Sequence, residues 1–202
     1  MWRVFILSIL IPSRSEPAVH GFIKELEAKI PCSEIIVCND SQSNGKGWAL
    51  RQAFLASKGD VVAFIDGDGE IPARMLLRLL PFIEDFDAVV GSKRITRSPG
   101  RRKVMTHLTR IWFKVLFGLY VDSQTGIKIF RREALESLEG CWESNGFIYD
   151  CEVLARLQKK GFKMVEVPIE CEIKRQLAFK TIFRIFGESL WLKSRLLSQP
   201  GK

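Results

Sequence analysis

Three carboxylates stand close together at Asp66-Gly67-Asp68 and Glu70, directly after an apolar run. Two carboxylates one residue apart repel each other unless a cation lies between them, and hard divalent ions prefer oxygen ligands. The segment therefore predicts a Mg²⁺ or Mn²⁺ site with Asp66, Asp68 and Glu70 as its ligands. A solvated acidic turn is the alternative, but a position at the end of a predicted strand favours the metal site.

Two further polar segments can contact a ligand. Asp40 follows a second short apolar run, where its carboxylate can accept hydrogen bonds from a nucleobase, although an ordinary Asx turn fits equally well. Asn44-Gly45-Lys46-Gly47 opens the next predicted helix, where backbone amides and Lys46 suit an anion. The segment lacks the spacing of a P-loop, and no Gly-x-Gly-x-x-Gly is present, which argues against a nicotinamide cofactor.

The positive charge is concentrated in two segments. The 202 residues include 31 Lys and Arg against 23 Asp and Glu, a formal charge of +8. Segment 93–103 holds six basic residues and no acidic one, and segment 172–202 holds seven basic and two acidic residues. We predict that 93–103 is a mobile basic loop that clamps phosphate with arginine forks, a solvated loop being the alternative. Without interleaved aromatic residues it does not suit a nucleic acid.

The elements that must position these side chains alternate between strand and helix. Apolar runs predict strands at 3–11, 34–38, 60–65 and 87–91, with helices between them. The second half predicts a helix over 104–120, a strand over 126–130, a helix over 150–160 and a strand over 164–169. This order predicts an α/β fold with an open, mainly parallel sheet flanked by helices, whose ligand site lies at the carboxyl ends of the strands.

The motif order resembles family 2 glycosyltransferases of the GT-A fold. Pro12-Ser13-Arg14-Ser15-Glu16, Asn39-Asp40, Gly45-Lys46-Gly47 and Asp66-Gly67-Asp68 follow one another as in that family. The segments 122–132, 146–152 and 160–168 are similar to those of the polyprenyl-phosphate (dolichyl-phosphate) mannosyl- and glucosyltransferases. The resemblance covers about residues 4–175. Arg14, Ser15 and Asn39 depart from the family pattern and leave the nucleotide base open.

The resemblance implies a hexosyltransferase and a role for each matching residue. Such an enzyme would move a hexose from a nucleoside-diphosphate sugar, of the GDP-mannose or UDP-glucose type, to a polyprenyl phosphate. The reaction would need a divalent metal and would invert the configuration at the anomeric carbon. Donor-binding residues would be Pro12, Ser13, Arg14, Glu16, Asp40, Lys46, Asp66 and Gly67. Acceptor-phosphate contacts would come from Lys93, Arg94, Arg102 and Thr106. Asp68 and Asp150 would be catalytic.

Two other functions stay open on the residues. If the acceptor is a saccharide or lipid hydroxyl, Asp150 or Glu152 would serve as general base; both could equally be helix N-terminal carboxylates. A sugar-nucleotidyltransferase shares a similar core, but that class usually has a glycine-rich, basic signature after the first strand, and residues 12–16 lack one.

The last segment predicts an amphipathic helix over 177–197. We expect a catalytic domain over 1–175 followed by this helix over 176–202. The helix either packs on the domain or lies in a membrane interface, with aromatic side chains among acyl chains and basic ones on anionic headgroups. The second case predicts a peripheral enzyme at the cytoplasmic membrane face. A homo-oligomer is left open.

Overall fold

The structure is a computed structural model, and it describes residues 5–13, 18–31, 33–40, 42–97, 100–139, 141–146, 148–172 and 179–198. The predicted donor residues Arg14 and Glu16 lie outside these ranges. The backbone of 94–97 and 100–106 is described but the side chains are not, so the predicted contacts of Arg94, Arg102 and Thr106 also lie outside what is described.

A six-stranded mixed sheet forms the centre of the molecule, in the order β2-β1-β3-β5-β4-β6. Among the strands that the structure describes, only β5 runs antiparallel to its neighbours. The predicted α/β class with an open, mainly parallel sheet is therefore confirmed. The strands are β1 (Leu7–Ser13), β2 (Glu34–Asn39), β3 (Val61–Ile65), β4 (Ala88–Arg97), β5 (Ile127–Arg131) and β6 (Met164–Glu172).

Helices cover both faces of the sheet. One face carries α1 and α3, and the other carries α2, α4, α5, α6 and α7. A 3₁₀ turn over Leu80–Glu84 continues α3. The helices are α1 (Ala18–Lys29), α2 (Lys46–Ala56), α3 (Arg74–Leu79), α4 (Gly100–Phe117), α5 (Arg132–Glu136), α6 (Tyr149–Lys159) and α7 (Phe179–Ser198).

Burial on both faces explains why the strands are apolar runs rather than alternating patterns. All five residues of β3 are buried. Phe64 points to the α2 face, where its ring lies 5.0 Å from that of Phe130, whereas Ala63 and Ile65 pack on the α1 face. Successive side chains thus fill two separate cores, as the period of a strand requires.

The polar segments meet at one edge of the sheet because five strands run in the same direction. Ser13, Asn39 and Ile65 end β1, β2 and β3 at this edge, and the antiparallel β5 begins there with Ile127 opposite Ile65. The ends of these strands, the described residues that follow β2 and β3, and the segment that precedes β5 are therefore neighbours in space, although they are far apart in the sequence.

The predicted mobile basic loop at 93–103 is wrong. β4 continues to Arg97 through an irregularity between Ser92 and Ile95, and α4 begins at Gly100. Lys93 and Arg94 therefore lie on a strand, and Arg102 and Thr106 lie on a helix. The strand extends this far because β6 pairs with β4 up to Arg97, which lies opposite Glu172. Backbone pairing between distant segments leaves no pattern in the basic sequence of 93–97.

The C-terminal helix α7 packs on the sheet's helical layer. Ile185 and Leu192 are buried in the same core as Phe64 and Phe130. The indole Nε1 of Trp112 on α4 donates a hydrogen bond to Ser189 Oγ at 3.0 Å. The predicted domain boundary at 175/176 lies outside the described residues. Within the described part of the chain, no helix has the length and apolar character needed to cross a bilayer.

Candidate active site

A cleft of about 340 Å³ opens at the edge of the sheet where the polar loops meet. It brings together seven of the residues predicted from the sequence: Pro12, Ser13, Asp40, Lys46, Asp66, Gly67 and Asp68. The remaining lining residues are Ser43, Asn44, Gly45, Ala49, Gly146, Arg184 and Glu188. The cleft therefore gathers most of the described residues that the sequence predicts to bind a donor.

Asp40 organises the loop that leads into α2. Its Oδ1 accepts the Asn44 N–H at 2.7 Å, and its Oδ2 accepts the Gly45 N–H at 2.7 Å. The buried carboxylate thus holds the start of α2 in place, as an Asx turn does. Each oxygen keeps a second lone pair, so the predicted contact with a nucleobase stays a prediction.

Glycines let the start of α2 approach the loop before α6. A Cβ at Gly45 would lie 2.2 Å from the Asn145 carbonyl oxygen, and one at Gly47 would lie 2.3 Å from the Ser144 carbonyl oxygen. Gly45 also has a φ of +114°, a conformation that L side chains rarely adopt. The start of α2 therefore packs directly against the backbone of the loop before α6, and the Gly47 N–H donates to the Asn145 carbonyl oxygen at 2.9 Å.

Asp66 is placed by its contact with the loop before β5. The Asp66 N–H donates to the Gly126 carbonyl oxygen at 2.9 Å. A Cβ at Gly126 would lie 2.3 Å from Asp66 Oδ2, so only glycine leaves room for this carboxylate. The glycine in the 122–132 segment thus serves the first carboxylate of the Asp-Gly-Asp motif.

Four charged side chains of alternating sign form a chain that reaches the cleft through Lys46 and Asp66, which we call the charge chain: Lys128, Asp150, Lys46 and Asp66. Lys128 Nζ lies 2.5 Å from Asp150 Oδ1, and Lys46 Nζ lies 3.5 Å from Asp150 Oδ2 and 2.7 Å from Asp66 Oδ1. Lys128 is only 2 % exposed. The chain therefore connects β5, α6, α2 and the loop after β3.

The charge chain sets the protonation of its members. Burial by itself would raise the pKa of Asp150, but the ammonium groups of Lys128 and Lys46 outweigh it and hold that pKa below its usual range. Burial would lower the pKa of Lys46, but Asp150 and Asp66 raise it above its usual value. Asp150 is thus an ionised carboxylate engaged with two cations, and it is a poor proton acceptor near neutral pH.

The predicted metal ligands do not form a three-carboxylate cage. Among the described residues, no three His, Cys, Asp or Glu side chains converge closely enough to hold an ion. Asp68 Oδ1 accepts the Glu70 N–H at 3.0 Å, while Asp66 and Asp68 both line the cleft. Such a pair still fits Mg²⁺ or Mn²⁺, because these ions are commonly held by one or two carboxylates together with substrate phosphates.

Glu152, the other carboxylate considered as a general base, already has hydrogen-bond and ion-pair partners within the protein. It is fully buried, accepts the Ser144 N–H at 2.7 Å, and pairs with Arg156 at 2.9 Å. Its contacts hold the loop before α6 against the helix. Of the predicted acceptor contacts, only Lys93 has a described side chain, and it is not among the residues that line the cleft.

Sequence reasoning missed Lys128, Arg184 and Glu188. Lys128 lies within a strand and looked like an ordinary polar position; its burial and pairing with Asp150 depend on α6 packing over β5. Arg184 and Glu188 lie on α7 and line the cleft, more than a hundred residues from the Asp-Gly-Asp motif. Their i, i+4 spacing places both on one side of the helix, but nothing local shows which side faces the cleft.

Residues 9–139 match the family described as Glycosyl transferase family 2. The chain belongs to glycosyl transferase family 2. The family and the enzyme class predicted from the motifs are confirmed.

Two similar proteins act on lipid phosphates according to their names. Undecaprenyl-phosphate mannosyltransferase of Micrococcus luteus is 27 % identical over 79 % of this chain and 81 % of its own length. Dolichyl-phosphate beta-glucosyltransferase of Saccharomyces cerevisiae is 27 % identical over 70 % of this chain and 48 % of its own length. Glycosyltransferase AglD of Haloferax volcanii is 32 % identical over 71 % of this chain, which spans about a quarter of that protein (24 %).

Similarity to solved structures supports the GT-A fold. Glucosyl-3-phosphoglycerate synthase from Mycobacterium tuberculosis, in complex with Mn²⁺ and UDP-glucose, aligns with a TM-score of 0.73 at 19 % identity. The alignment covers 96 % of this chain and 78 % of the synthase. The predicted GT-A fold is therefore confirmed.

The charge chain generates a stability prediction. Asp150→Asn leaves the buried Lys128 without its closest counter-charge, and breaking a buried pair in this way costs about 3–5 kcal/mol of unfolding free energy. Lys128→Met/Asp150→Asn, which removes both charges of the pair, should lose less than Asp150→Asn alone. Urea denaturation of both variants measures the difference.

Glu170→Gln is the matched control, because its partner Arg74 and Glu170 itself are both about half exposed. We expect this control to cost less than about 1 kcal/mol. Since the pKa of Asp150 is lowered on folding, its contribution is present above about pH 4 and decreases below it, so the deficit of Asp150→Asn should shrink in acid. Equal costs for Asp150→Asn and the control would contradict the prediction.

Proposed function

We propose that this family 2 glycosyltransferase transfers a hexose from a nucleoside-diphosphate sugar to a polyprenyl phosphate. The choice of acceptor rests on one observation: both carboxylates that could act as a general base are already held by ion pairs or hydrogen bonds. Asp150 is held between Lys128 and Lys46, and Glu152 is engaged by Ser144 and Arg156. Neither carboxylate suits proton removal from a hydroxyl, whereas a phosphate oxygen is already ionised and needs no base. The named acceptors of the similar mannosyl- and glucosyltransferases support the same choice.

The donor would bind along the cleft with its diphosphate at the start of α2. The Lys46 ammonium group lines the cleft there and would attract phosphate oxygens. Pro12, Ser13 and Asp40 line the cleft beside the ends of β1 and β2 and would hold the nucleoside. Lys46 would contact the diphosphate while keeping an ion pair, because its ammonium group contacts both Asp66 and Asp150.

Asp66 and Asp68 are the residues that would hold a divalent cation, with donor oxygens as the further ligands. A bound Mg²⁺ or Mn²⁺ would neutralise the charge that develops on the leaving nucleoside diphosphate. Asp66 is suited to this role because its backbone is fixed to Gly126 and its carboxylate lies in the space that Gly126 leaves open.

The transfer itself would be a single displacement. An anionic oxygen of the acceptor phosphate attacks the anomeric carbon, the bond from that carbon to the diphosphate breaks, and the electron pair leaves with the diphosphate. The configuration at carbon inverts, and no proton moves. Lys93 lies within β4, and the basic residues 101–103 lie at the start of α4, which follows the carboxyl end of β4 at the same edge of the sheet. Their positive charge would attract the acceptor phosphate.

We further propose that α4 and α7 lie against the cytoplasmic membrane face. Trp112 of α4 and Phe186 of α7 contact each other edge to face, with centroids 4.9 Å apart. Both helices also carry exposed apolar side chains: Leu108, Ile111 and Val115 on α4, and Leu190 and Leu197 on α7. Apolar exposure at two adjoining helices, with the basic excess of segments 93–103 and 172–202, suits an anionic lipid surface.

Donor binding is tested by thermal unfolding with GDP- and UDP-sugars, each with and without Mn²⁺. We expect one donor to raise the melting temperature by about 5 °C or more at roughly 100 times its Kd, only with the metal present. Asp66→Asn should lose the metal-dependent part of this shift, whereas Asp85→Asn, on the exposed turn after α3, should keep it. No shift with any donor would overturn the proposed function.

The acceptor is tested with Asp150→Asn, assayed below its melting temperature with polyprenyl phosphate and with the corresponding polyprenol. We expect wild type to use only the phosphate, and kcat of the variant to fall by less than about tenfold, since removal of a general base costs about 10²- to 10⁴-fold. A loss in that larger range with donor affinity unchanged, or transfer to the polyprenol, would favour a hydroxyl acceptor.

Membrane contact is tested by flotation with anionic liposomes. Val115→Glu/Leu197→Glu places two charges on the exposed apolar surface of α4 and α7 and should abolish co-flotation, with donor binding unchanged. Leu55→Glu/Leu77→Glu is the matched control, because these side chains are similarly exposed on α2 and α3. Point variants are preferred to removal of α7, because Ile185 and Leu192 belong to the core. Liposome binding that survives the first variant would contradict the membrane proposal.

A further inference from the structure

The helix α7 contributes a wall of the cleft. Its buried residues Ile185, Ser189 and Leu192 hold it to the core, and Arg184 and Glu188 project on the side that lines the cleft. The same helix therefore has a face that is fixed by packing and a face that meets the donor space. Neither Arg184 nor Glu188 belongs to the motifs that carry the family resemblance.

The carboxylate of Glu188 is poorly satisfied in the structure. Its Oε1 lies 3.7 Å from Arg184 Nε, a weak contact between side chains of the same helix. Its Oε2 is buried and accepts no hydrogen bond from the residues that the structure describes. A buried charged oxygen without a donor is unfavourable, which indicates that a ligand group completes its contacts.

Gly146 fixes where this carboxylate lies. A Cβ at Gly146 would be 2.9 Å from Glu188 Oε2 and 3.0 Å from Oε1. Gly146 directly follows Asn145, whose carbonyl oxygen accepts the Gly47 N–H at 2.9 Å at the start of α2. Glu188 thus lies close to the point where the diphosphate of the donor is proposed to bind.

The chemistry of the donor decides what Glu188 can accept. A carboxylate repels the diphosphate, so its partner must be an uncharged hydrogen-bond donor. The hexose next to the diphosphate offers several hydroxyl groups, each of which can donate to a carboxylate oxygen in a strong, charge-assisted hydrogen bond. The N–H groups of a nucleobase are the other source, but the base is expected at the ends of β1 and β2, beside Asp40.

We propose that Glu188 recognises the hexose of the donor by accepting hydrogen bonds from its hydroxyl groups. This inference rests on the proposed function, because it requires a nucleoside-diphosphate sugar in the cleft. It assigns to the C-terminal helix a part in choosing the sugar. The selectivity of the enzyme would then depend on a residue outside the Asp-Gly-Asp motif.

The test is isothermal titration of wild type and Glu188→Gln with the sugar nucleotide that wild type binds, and with the matching nucleoside diphosphate, both with Mn²⁺. Glutamine keeps the size of the side chain and removes the charge that strengthens the hydroxyl contacts. We expect affinity for the sugar nucleotide to fall by about tenfold or more, and affinity for the nucleoside diphosphate to stay within about twofold. Glu170→Gln, on the exposed part of β6, should change neither.

The other outcomes separate the two proposals. An equal fall for both ligands would place Glu188 at the nucleoside diphosphate, and unchanged affinity for both would remove it from recognition; either result overturns the inference and leaves the proposed function intact. Failure of wild type to bind any sugar nucleotide would overturn the proposed function and the inference together. An unchanged melting temperature of Glu188→Gln without ligand excludes a general loss of structure.

Discussion

The active-site architecture depends on the buried ion pair between Lys128 and Asp150. A lysine that is 2 % exposed is stable in its charged form only beside a counter-ion, and Asp150 supplies that charge from α6 across to β5. Asp150 then contacts Lys46, which contacts Asp66, so the position of the first Asp-Gly-Asp carboxylate is coupled to the packing of α6 on the sheet. One buried pair thus joins the stability of the domain to the geometry of the cleft.

The same pair determines what Asp150 can do chemically. A carboxylate between two ammonium groups is stabilised as an anion, and its tendency to take a proton is correspondingly reduced. In a site built in this way, Asp150 holds neighbouring charged groups in place and does not transfer protons. That character suits the proposed acceptor, which arrives already ionised, and Asp150 contacts both Lys46 and Lys128.

The helix α7 meets three different environments. Ile185 and Leu192 are in the core, Glu188 lines the cleft, and Leu190 and Leu197 are exposed. The two possibilities raised by its amphipathic sequence, packing on the domain and contact with a membrane, do not exclude each other. Because an α-helix has 3.6 residues per turn, one helix can direct different rows of side chains to the core, the cleft and the exposed surface.

The sequence by itself determined the alternation of strands and helices, the polar strand ends, and the family. These are local signals, since apolar runs covered on both faces and turn residues at the strand ends leave their pattern in consecutive residues. It failed at 93–103, where pairing with β6 extends β4 to Arg97 and α4 begins at Gly100. Only the tertiary structure decided that Lys128 is buried against Asp150, that Gly126 makes room for Asp66, and that Glu188 reaches the cleft. Each of these facts joins residues distant in the chain, and their contact is set by how helices pack on the sheet rather than by any local preference.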